Sequence, residues 1–171
     1  MGRSNRGETM RKVVGVFLLA VLVLPVAAAA QEAAVSDGEA NLSAKRTVGL
    51  GMQLDFPFGG LLSGRTWFAN GFGAEAILFF WGYSDDLEGT ITARALYRVA
   101  DRPVVDFYTA FGVTQPFEPY GWEPLVLSLA GGIEFGFQFA PALAWNIEFG
   151  MAYGLNGELS MLFGTGIHFY F

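Results

Sequence analysis

The chain has 171 residues; 53% are hydrophobic, 16% aromatic and only 15% charged, and the formal net charge is −6. A soluble domain is about 25% charged, so this chain is short of water-facing residues, yet its apolar mass (mean hydropathy +0.39) excludes intrinsic disorder. The absence of cysteine excludes a disulfide scaffold, a thiolate metal site and a cysteine nucleophile, and the acidic balance argues against nucleic acid as a partner.

In chain order, Arg3, Arg6, Arg11 and Lys12 precede an apolar run from Val13 to Leu24, then Pro25, and Ala27 to Ala30 before Gln31. A basic start, a short apolar core and a small-residue end make a Sec-type signal peptide over residues 1–30, cleaved near Ala30. The run is shorter than the roughly 20 residues of a membrane helix. The signal removes four of ten basic residues and one of sixteen acidic ones, leaving a strongly acidic mature chain. Residues 31–45 (QEAAVSDGEANLSAK) are polar and aperiodic, and read as a flexible N-terminal tail.

From Arg46 onward the hydrophobic period is two, which marks strands. Val48, Leu50, Met52 and Leu54 share one face of a first strand, and Thr47, Gly49, Gly51, Gln53 and Asp55 share the other. The same alternation recurs along 125–139, 142–154 and 158–171. A first count finds seven strands, but Asn70-Gly71 is a turn signal inside the third apolar unit. Splitting there predicts strands near 46–55, 59–68, 71–82, 89–99, 104–113, 125–139, 142–154 and 158–171. An even number suits a bacterial membrane barrel. The short connections Ala69-Asn70, Ala100 to Pro103 and Ala140-Pro141 then lie on the periplasmic side, and Asp55 to Phe58, Tyr83 to Glu88, Thr114 to Pro124 and Leu155 to Gly157 lie outside.

Alternation also fits a soluble sandwich with its apolar face inward. The polar face decides between them. It is mostly glycine, alanine and serine, which suits a narrow interior, whereas a water-facing sheet is dense in lysine, glutamate and threonine. The bulky face is the apolar one, as contact with lipid requires. Phe72, Tyr97, Phe107, Trp145 and Phe169 fall near one end of the strands, and Phe80, Trp81, Tyr83 and Tyr153 near the other. Two such clusters are expected of aromatic girdles. The expected fold is therefore all-β: an eight-stranded antiparallel up-and-down transmembrane β-barrel over residues 46–171, with a filled interior.

The C-terminal hexapeptide Gly166-Ile167-His168-Phe169-Tyr170-Phe171 resembles the assembly signal of bacterial outer-membrane barrels. Residues 46–171 as a whole resemble the small OmpA/OmpX-type group of outer-membrane β-barrel proteins, and GGLLSGRTWFANGFGAEAILFF is similar to a hairpin of that group. The resemblance implies a Gram-negative outer-membrane location and recognition of Gly166, Phe169 and Phe171 by the barrel-assembly machinery. It also implies outer-membrane lipid and lipopolysaccharide as surroundings.

Seven charged residues fall on the inward face: Arg65, Arg94 and Arg98 with Glu75, Asp106, Glu134 and Glu148. Intramembrane charges face an interior and pair there, so these are expected to form an ion-pair network filling the lumen; a gated ion path is the functional alternative. Small barrels can also modify lipid A, which would call for serine and histidine near the outer rim. His168 is the only histidine, and Ser160, on its strand and face, lies roughly 27 Å away. No Ser/His/acid set is expected to assemble around it without distant help, and it reads as a packing or interface histidine. Asp85-Asp86-x-Glu88 lacks a full calcium-loop pattern and reads as a solvated loop. In QPFEPYGWEP, Phe117, Tyr120 and Trp122 make the candidate contact surface. No metal, cofactor or catalytic residue is expected. The expected role is structural, in membrane integrity, or a surface interaction, by a monomer; a narrow pore for ions or small apolar molecules is the alternative, and a lipid A-modifying enzyme ranks third.

Overall fold

A computed structural model describes residues 46–82, 86–102 and 104–171. The signal peptide, the tail, Tyr83, Asp85 and Pro103 lie outside the described residues. Eight long strands and one short one follow in order: β1 (Val48–Phe56), β2 (Leu62–Trp67), β3 (Phe72–Trp81), β4 (Glu88–Asp101), β5 (Val105–Glu118), β6 (Gly121–Trp122), β7 (Val126–Phe137), β8 (Ala140–Gly154) and β9 (Leu159–Tyr170). Each long strand pairs antiparallel with the next, and β1 pairs with β9, so the eight close into an up-and-down barrel. Closure leaves no open edge.

Hydrogen-bonded partners followed once around run Leu50, Gly64, Ala76, Ala93, Val113, Leu127, Tyr153, Leu159. Leu50 itself pairs with Phe169, so the path returns ten residues along β9 from its start. With eight strands, this stagger goes with a strand tilt of roughly 35–45°. Tilt explains why residues far apart along their own strands meet inside.

Asn70-Gly71 does separate two strands. Gly71 has φ 81°, a left-handed value that suits glycine, and Asn70 Oδ1 accepts the Phe72 amide at 3.1 Å. Three expected boundaries need correction. β2 begins at Leu62 rather than 59, because Gly59 takes φ 72° and turns the chain. Thr114 to Pro124 is not a loop: β5 continues to Glu118 and pairs with β6 through Phe117↔Trp122 and Glu118↔Gly121. Its three prolines suggested loop, but Pro116 lies in the ladder opposite Thr90. Ala140 and Pro141 belong to β8, and the turn before them is 138–139.

The two faces separate as the alternation requires. Leu50, Met52 and Leu54 are exposed on the outside, and Met161 reaches 80% exposure. Inside, Glu134, Glu148, Asn146 and His168 are all at 0%. The outer surface carries aromatic pairs at both ends. Phe72–Tyr97 (5.0 Å) and Phe135–Trp145 (5.5 Å) lie toward the end where residues 46 and 171 sit, called here the terminal end. Phe80–Phe117 (6.2 Å) and Phe117–Trp122 (5.7 Å) lie at the distal end.

Candidate functional site

The lumen holds one dense polar cluster to which every long strand contributes. Arg65 on β2 donates to Glu75 on β3 at 3.1 Å, to Glu134 on β7 at 2.8 Å and to Glu148 on β8 at 3.4 Å. Arg94 on β4 donates to Glu75 through Nε at 2.9 Å and again through Nη2, and to Glu148 at 2.5 and 3.0 Å. Two arginines and three carboxylates thus interlock. Such charge-assisted, partly bidentate contacts are the strong class of hydrogen bond.

Neutral groups complete the cluster. Tyr108 on β5 donates to Glu148 at 2.5 Å, and Tyr170 on β9 donates to Glu134 at 2.8 Å. Asn146 on β8 donates to Gln53 at 3.0 Å, to Tyr108 at 2.8 Å and to Glu148 at 3.1 Å. Asp55, at the distal end of β1, pairs with Arg94 at 3.4 Å and accepts from Gln53 at 2.9 Å. Arg46 reaches Glu134 at 3.9 Å.

The seven expected interior charges do not form one set. Arg98 and Asp106 stand apart, with Arg98 Nε 3.5 Å from Asp106 and its Nη1 3.8 Å from Asp101. The Arg98 guanidinium lies 4.4 Å over the Trp67 ring, and Trp67 meets Tyr108 edge-on at 5.8 Å, which links this pair to the main cluster. Gln53, Asn146, His168 and Tyr170 share the inward parity, so strand periodicity could have found them; only their lack of formal charge kept them out of the set. Asp55 fell at a presumed loop boundary, and Arg46 precedes the first clear alternation.

His168 corrects a further expectation. A serine and an acid do gather around it, from other strands. Ser63 Oγ lies 2.9 Å from His168 Nε2 and donates to Glu75 at 2.6 Å, while Glu75 Oε1 is 3.3 Å from the same Nε2. Ser63 pairs with Gly51, and Gly51 with His168, so the hydrogen-bond ladder across β1 brings them together. The arrangement is not a nucleophile relay. In a relay the acid orients the imidazole through the opposite nitrogen, whereas here both partners share Nε2, and Nδ1 has no hydrogen-bond partner among the described residues.

The remaining singled-out residues, Gly166 excepted, lie on the surface. Phe169 and Phe171 point outward and are more than half exposed, and Gly166 faces the lumen beside Gln53 and Asn146. Tyr120, between β5 and β6, is 96% exposed, whereas Phe117 and Trp122 meet edge-on on the outer wall. Among the described residues no group of acids and histidines is placed to hold a metal ion.

The class this defines is a closed eight-stranded antiparallel barrel with its apolar side chains outside and its charges within. No family model matches the chain, and no curated protein matches it. Among solved structures it is similar to the crystal structure of Ail, the attachment invasion locus protein of Yersinia pestis, in complex with the heparin analogue sucrose octasulfate. That match has 16% identity and a TM-score of 0.37, and covers 72% of this chain and 95% of that one.

Proposed function

We propose that the chain is a monomeric integral β-barrel of the Gram-negative outer membrane, exported by the signal at residues 1–30, with a lumen closed by its charged cluster and a non-enzymatic role in membrane integrity. The observation that carries this is the inverted distribution of side chains: Glu134 and Glu148 are fully buried while Leu50, Phe149 and Met161 stand exposed on the wall. In water such a wall would aggregate. In hydrocarbon it is solvated, and the ladder closed through β1 and β9 pairs strand backbone that lipid could not hydrogen-bond. The terminal end faces the periplasm on this reading.

The distal connections are short, with 57–61 and 155–158 among them. That supports a role in the plane of the membrane over one reaching far beyond it. Phe117, Tyr120 and Trp122 would then meet the headgroup region and lipopolysaccharide. The interlocked arginines and carboxylates support a plugged lumen over a narrow pore. In planar bilayers the protein is expected to give no steady single-channel steps; steps abolished by substitution at Arg94 would sink the plugged reading. Unchanged lipid A mass profiles with and without the gene are expected if the protein is not a lipid-modifying enzyme.

The outward Phe169 and Phe171 support a role for the last strand in assembly. Phe169→Ala with Phe171→Ala is expected to lower the folded fraction in cells several-fold while leaving refolding in detergent nearly unchanged, read from heat-modifiable gel migration. An equal loss in both settings would make these residues structural.

A further inference from the structure

β1 is held unequally by its two neighbours. It pairs with β9 at eight positions, Gly49↔Tyr170 to Phe56↔Phe163, but with β2 at only four, Val48↔Thr66 to Gly51↔Ser63. Every other pair of adjacent long strands has at least six. Beyond Gly51 and Ser63 the ladder stops, and the segment 57–61 lies in its place. That segment is tied to β1 by the Asp55↔Gly59 bridge, whose amide contact is 3.4 Å, and to β3 by Leu61 N donating to Leu78 O at 3.1 Å.

Phe58 anchors the segment across the mouth of the barrel. Its carbonyl accepts from Thr90 on β4 at 3.1 Å, and its ring packs against the buried cluster that includes Ala110, Ala130 and Leu162. The lips of the gap are apolar and exposed: Met52, Leu54, Phe56 and Leu62. The wall within is apolar or internally paired: Ala130, Ala152 and Leu162, Thr92 and Thr114 hydrogen-bonded to each other at 2.8 Å, and, beside the gap on β1, Asp55, which pairs with Arg94 at 3.4 Å and accepts from Gln53 at 2.9 Å. Below it lies the charged cluster.

The geometry points to the segment 57–61 as a lateral gate that admits one hydrocarbon chain of a surrounding lipid into the distal half of the lumen. Phe58 is the bolt: when it swings out, the chain takes the place of its ring. The occupant is a hydrocarbon chain because the lips, the resident ring and the wall are all apolar or internally paired, and so offer nothing to a headgroup or an ion. The charged cluster forms the floor of the site, so the gate opens to the bilayer without opening a path for ions. This rests on the membrane reading above.

The test is hydrogen exchange by mass spectrometry on the mature protein in lipid nanodiscs, paired with electron paramagnetic resonance of a palmitic acid probe carrying a nitroxide near its methyl end. Amides of 53–56 and 61–64 are expected to exchange about tenfold faster than those of 92–97 on β4, as locally open segments do. Phe58→Ala should speed them further and enlarge the immobilised probe signal. Phe58→Trp should shrink that signal, and Leu129→Ala, on the outer wall of β7, should change neither. Uniform exchange in a protein that inserts normally overturns the gate and leaves the membrane reading standing. Fast local exchange with no probe signal above that of Phe58→Trp overturns the assignment of a lipid chain. A protein that fails to insert at all overturns both readings together.

Discussion

Replacing Glu148 with alanine is expected to lower the unfolding midpoint in detergent more than any other single truncation in the lumen. Glu148 receives Arg94 at 2.5 and 3.0 Å, Arg65 at 3.4 Å, Tyr108 at 2.5 Å and Asn146 at 3.1 Å. Its removal strips four donors of an acceptor at once. Arg65 and Arg94 would then compete for Glu75, with only Glu134 and Asp55 in support. Breaking a buried pair by removing one partner costs about 3–5 kcal/mol, because an uncompensated charge stays behind. Replacing both Arg94 and Glu148 with leucine should cost less than Glu148→Ala alone, since a cation and an anion then leave together and Asp55, which loses Arg94, keeps Gln53 as a donor. Glu134→Ala should cost less than Glu148→Ala, with Arg65 and Tyr170 each losing one acceptor. Urea titrations followed by tryptophan fluorescence would check the order. An unchanged midpoint for both single variants would mean that the cluster does not hold the barrel together.

The barrel itself was legible because one rule, period two, acts on nearly every residue from Val48 to Tyr170. Bulky residues at even positions of β1 and at odd positions of β9 all stand outside. The Asn70-Gly71 turn was legible for a local reason, since the backbone there needs a left-handed residue. What the sequence could not show is which inward residues meet. Ser63 and His168 are 105 positions apart and belong to opposite ends of their strands. They touch because the ladder is staggered by ten residues around the barrel, a property of closure that no window of sequence contains. For the same reason distance along one strand, as from Ser160 to His168, was the wrong measure of what His168 could reach. The β5–β6 hairpin was missed for a different reason: proline lowers the local expectation of a strand, but Pro116 sits where the pairing tolerates it.

The stagger also sets up the second large effect. Gly51 on β1 stands directly opposite His168, and the ladder passes so closely there that a Cβ on Gly51 would fall against the Ile167 carbonyl and only 2.8 Å from the His168 Cα. Gly49, one step toward the terminal end, similarly lies under the Tyr170 ring, 2.9 Å from where its Cβ would be. Two inward glycines therefore leave β1 bare where the last strand lays its two polar side chains on it, and His168 reaches past to Ser63. Gly51→Val places its side chain against main chain, which can yield only if the β1–β9 seam shifts. Overpacking costs about 1–3 kcal/mol and occasionally more, and a clash with backbone belongs at the top of that range. The expected result is a large loss of heat-modifiable folded protein, with the remaining fraction unfolding at lower urea. Gly131 is the matched control. It also lies in a strand, on the exposed face of β7, but nothing lies within 4 Å of its Cβ position. Gly131→Val should be neutral or mildly stabilising, because a β-branched residue fits a pleated strand better than glycine does. Equal losses from both variants would show that valine is tolerated nowhere on these strands and that the closing seam has no special demand for glycine.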